Sequence, residues 1–148
     1  KRHQQPVSLL MLDLDWFKQI NDKHGHSCGD NVLKQTVNCI FDCVRRTDMC
    51  FRYGGEEFII LLSGAAQNDA KRIAERIRSS IADIQVQGSQ GEIRLTASIG
   101  CATLHSEDDK DGLLHRTDEA LYEAKSSGRN RVVCAAQTAH TQKTISAD

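Results

Sequence analysis

The sequence has no excess of either charge and no long apolar run. Nineteen Lys and Arg face twenty Asp and Glu, so the formal net charge is −1. A chain without a positive field has no general attraction to nucleic acid or anionic membranes. No apolar run approaches the roughly 18 residues of a bilayer-spanning helix, and the first residues turn acidic too early for a signal peptide. We therefore expect no nucleic-acid binding, no membrane contact by this domain and a cytoplasmic location; further domains of a longer protein could still anchor it in a membrane.

Cysteine pairs, repeats and linkers are also lacking. The six cysteines form no C-x-x-C pair, which argues against a zinc site and against a small disulfide framework, and favours free thiols. No repeat and no linker rich in proline or glycine divides the 148 residues, a length that suits one domain. We expect that domain over 1–134 and a disordered tail over 135–148.

The first third of the chain predicts a strand followed by helices. Val7–Leu14 is apolar on both alternating faces, as in a strand covered on both sides. Asp15 is predicted to cap a short helix over 16–20, and the polar stretch 21–30 is predicted to be a loop. Apolar positions three and four residues apart then predict a helix from Asn31 to about Arg45.

The rest of the chain predicts a hairpin, two more helices and two strands. Two strand-like runs flank Gly54 and Gly55, which indicates a hairpin with a two-residue turn. Apolar periodicity predicts helices over 70–84 and 113–124 and strands over 94–103 and 131–134. This mixed order indicates an α+β sandwich rather than regular βαβ units.

Two acids lie at strand ends. Asp13 closes the buried first strand, and Glu56 follows the Gly-Gly turn. If the strand pairs with the hairpin, both face one rim, where converging carboxylates need a hard cation such as Mg²⁺. The alternative is that both are solvated acids at turns, and the residues alone leave it open.

Two groups of cationic residues could bind phosphate. The backbone amides of Trp16 and Phe17 begin a predicted helix and Lys18 follows, which is a typical anion site. Lys125 and Arg129 lie one turn apart at the end of the last helix. The alternative is that these two only favour the helix C-terminus through its dipole.

Three segments together resemble one family. LMLDLDWFKQINDKHGHSCGD, RYGGEEF and DEALYEAKSSGRN occur in this order and are similar to the GGDEF family of diguanylate cyclases, with RYGGEEF as the variant carrying Glu in the third place. The resemblance implies a five-stranded central sheet, mixed or antiparallel, flanked by helices. Such a fold is ferredoxin-like and similar to the catalytic core of class III nucleotide cyclases.

The resemblance also implies an activity. The family condenses two GTP into cyclic di-GMP and releases two pyrophosphates, which serves bacterial signalling. Each protomer holds one GTP, so that catalysis needs a homodimer. By the same resemblance, Asp13 and Glu56 match side-chain ligands of two Mg²⁺ ions per site, for which Mn²⁺ could substitute, and Leu14 matches a carbonyl ligand. Glu57 matches the second acid of the signature, which assists the attacking hydroxyl or the metal site.

The substrate-binding residues are carried over in the same way. Asn21 and Asp30 match residues that recognise guanine. The N1–H and the exocyclic amine of guanine can both donate hydrogen bonds to a carboxylate. Gly54 and Gly55 let the backbone approach the nucleotide. The remaining matches surround the triphosphate: Lys18, Lys125, Arg129 and the amides of Trp16 and Phe17.

An R-x-x-D sequence precedes the hairpin. Arg45 and Asp48 lie in a register that resembles the family's inhibitory product site, and Arg76 matches a further arginine of that site. The resemblance thus implies allosteric inhibition by cyclic di-GMP. Taken alone, R-x-x-D is common in helices, and Arg45 could simply be a favourable cation at a helix end.

Two departures from the family pattern stand out. Trp16 occupies a place where His, Phe or Arg is frequent, and we expect little effect because its backbone is what binds. The D-x-L-T-G-L-x-N-R segment that normally comes first is absent, so we expect the domain to be cut from a longer protein. The competing hypotheses are a catalytically silent module that binds cyclic di-GMP or GTP, and a cyclase with a mononucleotide product.

Overall fold

The computed structural model describes residues 5–137, in which five strands form one sheet between two layers of helices. Of the tail predicted over 135–148, residues 138–148 lie outside the described residues, whereas Ala135 N donates to the Cys101 carbonyl. The strands are β1 Val7–Leu14, β2 Met49–Arg52, β3 Glu57–Ser63, β4 Val86–Gly88, β5 Gly91–Ile93, β6 Ala97–Thr103 and β7 Val132–Cys134. The helices are α1 Phe17–His24, α2 His26–Cys43, α3 Gln67–Ala82 and α4 Lys110–Ser126. Within residues 5–137 no helix is both long and apolar enough to cross a bilayer.

The sheet confirms the predicted fold class. Its strand order is β2-β3-β1-β6-β7, with β1 at the centre, and β4 and β5 form a separate small hairpin. β1 pairs antiparallel with β3 and β6, whereas β7 pairs parallel with β6. The sheet is therefore mixed, and the end of β1 lies between the β2–β3 hairpin and the start of β6.

The alternation of side chains along β1 fills two cores. Leu10, Leu12 and Leu14 lie in the large core that α2 and α3 also build. Leu9 belongs to a smaller core with Leu113 of α4. Successive strand residues point to opposite faces, so Asp13 lies on the same face as Leu9, the face that α4 covers.

The region after β1 differs from its prediction. The helix that starts at Phe17 continues to His24, and α2 begins at His26, so most of the predicted loop 21–30 is helical. Only Gly25, with φ of 92°, separates the two helices. Most polar residues of this stretch lie on the exposed sides of these helices, whereas the side-chain oxygen of Asn21 is buried. Asp15 does not cap α1, because Trp16 holds the N-cap position and no side chain caps the helix there.

The turn of the β2–β3 hairpin and the start of β6 also differ from the prediction. Tyr53 N donates to the Glu57 carbonyl, so the hairpin closes around three residues, 54–56, instead of two. The predicted strand over 94–103 is shorter in the structure, because β6 starts only at Ala97. Before it in the chain, β4 and β5 form a hairpin with strands of three residues each.

Candidate active site

The end of β1 and the tip of the β2–β3 hairpin bring acidic side chains together. Asp13 is the register partner of Glu57, and Leu14 N donates to the Glu56 carbonyl over 3.2 Å. Asp13 is buried, and both glutamates are partly buried. The predicted common rim therefore exists, with Glu57 directly across from Asp13 and Glu56 next to it in the turn.

A lysine from the distant α4 completes this group. Lys125 Nζ lies 2.5 Å from Asp13 Oδ2, and the side chains are 32% and 6% exposed. A buried carboxylate needs a compensating cation, and Lys125 supplies it from the last turn of α4. The separation of 112 positions in the chain is bridged because α4 covers the face of the sheet on which Asp13 lies.

The charges at the rim change the acidity of Glu57. Burial raises the pKa of the Glu57 carboxyl above its ordinary value; the Asp13 carboxylate raises it further, both by repulsion and as a hydrogen-bond partner, while Lys125 lowers it. The site is thus short of positive charge despite Lys125. Its donors are carboxylate oxygens, which suit Mg²⁺ or Mn²⁺. Among residues 5–137 the side chains do not already form a cluster of three or more metal-ligating groups.

Asp15 has a role that the sequence did not reveal. Its carboxylate is 3% exposed and accepts hydrogen bonds from Thr96 Oγ1, Ser98 Oγ and Asn130 N at 2.7, 2.7 and 3.1 Å. One buried side chain thereby ties the end of β1 to the start of β6 and to the loop after α4. That loop carries Arg129, so Asp15 positions a candidate phosphate ligand.

The predicted phosphate-binding residues converge beside this network. Trp16 adopts a left-handed conformation with φ of 59° at the N-cap of α1, and the guanidinium of Arg129 lies 4.2 Å from the centre of the Trp16 ring. Lys18 is exposed on the first turn of α1. A cation stacked on an aromatic ring is held in place while keeping its hydrogen-bond donors. The backbone amides, Lys18, Lys125 and Arg129 therefore border one end of the site.

The two predicted guanine readers lie near the start of α2. Asp30 lines a cleft of about 520 Å³ together with Leu33, Lys34, Val37, Asn38, Arg52 and Phe58. The side-chain oxygen of Asn21 is buried and has no hydrogen-bond partner among the described residues. It rests where a Cβ of residue 29 would be, so only glycine at position 29 leaves room for it. A buried acceptor without a donor is costly, so this side chain gains free energy by turning toward a donor.

Arg52 donates hydrogen bonds to the tip of the β2–β3 hairpin, a role that the sequence did not indicate. Its guanidinium donates to the carbonyls of Gly54 at 3.2 Å and Gly55 at 2.6 Å. These contacts fix the turn that carries Glu56, and the same residue lines the cleft beside Asp30. An arginine on an edge strand gave no sequence signal, because only the fold shows that it reaches the turn.

The R-x-x-D residues lie on the far side of the hairpin. Asp48 is buried and accepts hydrogen bonds from Arg45 N at 2.8 Å and Ser63 N at 3.0 Å. The Arg45 side chain is 55% exposed, with Nε 3.5 Å from Asp48 Oδ2. Arg76 Nη1 lies 3.5 Å from the carbonyl of Cys43, at the end of α2. Arg45 and Asp48 are therefore neighbours, and exposed Arg76 reaches the end of α2 two residues before Arg45.

Comparison with known proteins gives a consistent picture. The family model described as diguanylate cyclase, GGDEF domain, matches residues 1–131. Diguanylate cyclase DosC of Escherichia coli (strain K12) is 47% identical over 128 residues, which are 86% of this chain and 28% of that protein. The chain thus spans less than a third of this curated relative.

Solved structures agree with the fold. The active GGEEF domain of a diguanylate cyclase from Vibrio cholerae superposes with a TM-score of 0.84 at 37% identity, covering 90% of this chain and 85% of that one. The GGDEF domain of DgcB from Caulobacter crescentus, solved in complex with c-di-GMP, has a TM-score of 0.82 at 30% identity and covers 87% and 77%.

Proposed function

Because the chain belongs to the GGDEF family of diguanylate cyclases, we propose that it condenses two GTP into cyclic di-GMP and releases two pyrophosphates. The observation that carries the proposal is the convergence of Asp13, the two hairpin glutamates and Lys125 between a base-sized cleft and a group of cations. These parts are the ones that nucleotidyl transfer requires: acids for metal ions, cations for phosphates and polar groups for a base.

The guanine is assigned to the cleft beside Asp30. The Asp30 carboxylate can accept from N1–H and the exocyclic amine, and the unpaired oxygen of Asn21 can accept from a donor of the same base. Adenine lacks that donor pattern. A larger cavity of about 610 Å³ lies between α1 and residues 92–96 but does not include Asp30, so we place the base in the smaller cleft, which does.

The triphosphate is assigned to the cations at the start of α1 and the end of α4. The amides of Trp16 and Phe17, with Lys18, Lys125 and Arg129, would neutralise and orient it. Lys125 also pairs with Asp13, so its ammonium would lie between that carboxylate and the phosphate oxygens.

Divalent ions fit the acidic rim. Asp13 and Glu56, with the Leu14 carbonyl, would hold two Mg²⁺ ions, and Mn²⁺ has the same preference for oxygen ligands. When bound, such ions neutralise charge on the transferring phosphate and the leaving pyrophosphate. Glu57, whose pKa is raised by burial and by Asp13, is assigned to accept the proton of the attacking 3′-hydroxyl or to support the ions. Since each protomer would hold one GTP, two copies must face each other.

Incubation with GTP and Mg²⁺, resolved by chromatography, tests this proposal. We expect a cyclic dinucleotide and pyrophosphate, with a rate per chain that rises with chain concentration because two copies are needed. ATP in place of GTP should yield no product. A cyclic mononucleotide would mean a different cyclase, and binding of cyclic di-GMP without turnover would mean a silent module; either result contradicts the proposal.

We also propose that cyclic di-GMP inhibits the enzyme through Arg45, Asp48 and Arg76. The two exposed guanidinium groups lie on one outer surface, and paired arginines suit phosphate and guanine edges. Asp48 is committed to two backbone donors, so its loss would also damage the loop between α2 and β2. The role in inhibition is therefore best tested at an arginine.

Replacing Arg45 with alanine should retain synthesis and abolish inhibition by added cyclic di-GMP. The side chain is more than half exposed, but it pairs with buried Asp48 and donates to the Ser63 carbonyl, so the fold should lose about 1 kcal/mol. Initial rates measured over a series of product concentrations would show the effect. Arg46→Ala is the matched control, since Arg46 is an exposed neighbour outside the proposed site, and it should remain inhibited. Unchanged inhibition in the Arg45 variant would remove this residue from the site.

A further inference from the structure

Two cysteines face each other at the edge of the sheet, away from the nucleotide site. Cys101 on β6 and Cys134 on β7 are register partners in parallel strands. Both side chains pack in or against the large core, and neither is in a disulfide. They are 33 positions apart in the chain, and only the pairing of β6 with β7 brings them together.

Their placement permits a covalent bridge. Neighbouring strands lie about 4.7–4.9 Å apart, and a disulfide needs Cα atoms about 4.4–6.8 Å apart. β7 is an edge strand of three residues, so it can adjust to the bond with little resistance from neighbours. Register partners on neighbouring strands point to the same face of the sheet, and both cysteines lie at the same core.

The two thiols differ in exposure and in acidity. Cys101 is fully buried, whereas Cys134 is half-buried and lines a cleft of about 360 Å³. The hydrogen bond from Cys101 lowers the pKa of Cys134 to about 7, against the effect of burial. The pKa of Cys101 is raised by the same hydrogen bond and by burial. At neutral pH a substantial fraction of the accessible partner, about half, is therefore thiolate, the reactive form, and the buried partner keeps its proton.

The charges around Cys134 come from both neighbouring helices. On α3, Lys71 favours the thiolate and Glu75 opposes it. The cleft on the side of α4 contains Arg116, Glu119 and Glu123. Since cations and acids are mixed on both sides, the direct partner Cys101 remains the main cause of the thiolate character.

We propose that Cys134 and Cys101 form a redox-responsive dithiol that hydrogen peroxide converts to a disulfide. The Cys134 thiolate attacks one peroxide oxygen, the O–O bond breaks, and protonation of the leaving hydroxide gives water and a sulfenic acid on Cys134. The sulfur of Cys101 then attacks the sulfenic sulfur, releases its own proton and displaces a second water. Two thiols lose two electrons and two protons in total, and peroxide is reduced to two waters.

Peroxide treatment of the reduced chain at neutral pH tests this proposal without measuring turnover. Intact mass should fall by two hydrogen atoms, peptide mapping should identify a Cys101–Cys134 crosslink, and dithiothreitol should reverse it. Cys134→Ser should form no bridge. Cys39→Ser is the matched control and should bridge like the parent, because burial raises the pKa of Cys39. A crosslink between other cysteines, or no crosslink, would overturn the proposal.

A second measurement distinguishes the role of each thiol. Cys101→Ala should accumulate a sulfenic acid on Cys134 that dimedone traps. The midpoint of the pH profile for iodoacetamide reaction at Cys134 should move from near 7 toward about 8.5, the value of an ordinary thiol. Circular dichroism would show whether this variant is folded. Rapid irreversible oxidation of Cys101 in Cys134→Ser, or an unchanged midpoint in Cys101→Ala, would contradict the assignment.

Discussion

Asp13→Asn should lower kcat by about 100- to 1,000-fold or more, since a metal ion at the transferring phosphate contributes several kcal/mol and each 1.36 kcal/mol is tenfold in rate. Asparagine keeps the shape of the side chain but removes the negative charge that pairs with Lys125 and that would bind a divalent ion. The chain should remain folded, because Lys125 is partly exposed and can return to water. Initial rates of GTP condensation would measure the effect.

Metal binding provides a readout that does not depend on turnover. Mn²⁺ titration followed by electron paramagnetic resonance should show weaker binding to the Asp13→Asn chain in the presence of GTP. Asp111→Asn is the matched control, because Asp111 is an exposed acid at the opposite end of α4 from Lys125, and it should behave like the parent. If the Asp13 variant binds Mn²⁺ and condenses GTP at the parental rate, Asp13 is not a metal ligand.

The position of Asp13 could be predicted because the signal is local. Eight residues apolar on both faces mark a central strand, and an acid at its end is then conspicuous. The hairpin was equally readable from Gly54 and Gly55 between two apolar runs. Both features depend on neighbours within a few positions, whereas placing them at one rim required the long-range pairing of β1 with β3, which the sequence offered only as a condition.

The role of Asp15 could not be predicted because its partners are far away in the chain. Thr96, Ser98 and Asn130 follow it by 81 to 115 positions, and only the sheet brings them together. From the sequence alone the same residue resembled a helix cap. The error has a physical reason: a short polar side chain before a helix usually bonds locally, but here buried long-range donors compete successfully.

The polar stretch 21–30 shows a second limit of prediction from the sequence. It was predicted to be a loop because Gly, Asn and Asp favour turns. In the structure two helices meet there at Gly25, and packing of Phe17, Ile20 and Val32 into the core overrides local propensity. The same tertiary arrangement buries the side-chain oxygen of Asn21 against Gly29, a placement that no sequence pattern indicated although Asn21 matched a guanine reader by resemblance.

Gly100→Ala should destabilise the chain by about 3 kcal/mol, at the upper end of the usual cost of overpacking. Gly100 lies on β6 under α4, and a Cβ there would be 2.5 Å from the Thr117 carbonyl oxygen and 2.8 Å from the Leu121 Cα. These atoms belong to the helix backbone, so no side-chain rotation can relieve the clash. Urea denaturation would measure the loss as a lower midpoint.

The same substitution should also impair catalysis, because α4 carries Lys125 to Asp13 across the contact that Gly100 permits. Gly55→Ala separates the two effects: a Cβ at Gly55 meets no atom within 4 Å, so its stability should change by no more than about 0.5 kcal/mol. Its activity should nevertheless fall, since the added carbon would face the nucleotide. An unchanged urea midpoint in Gly100→Ala would mean that α4 does not rest on β6 as closely as described, and the position of Lys125 would then lose its structural support.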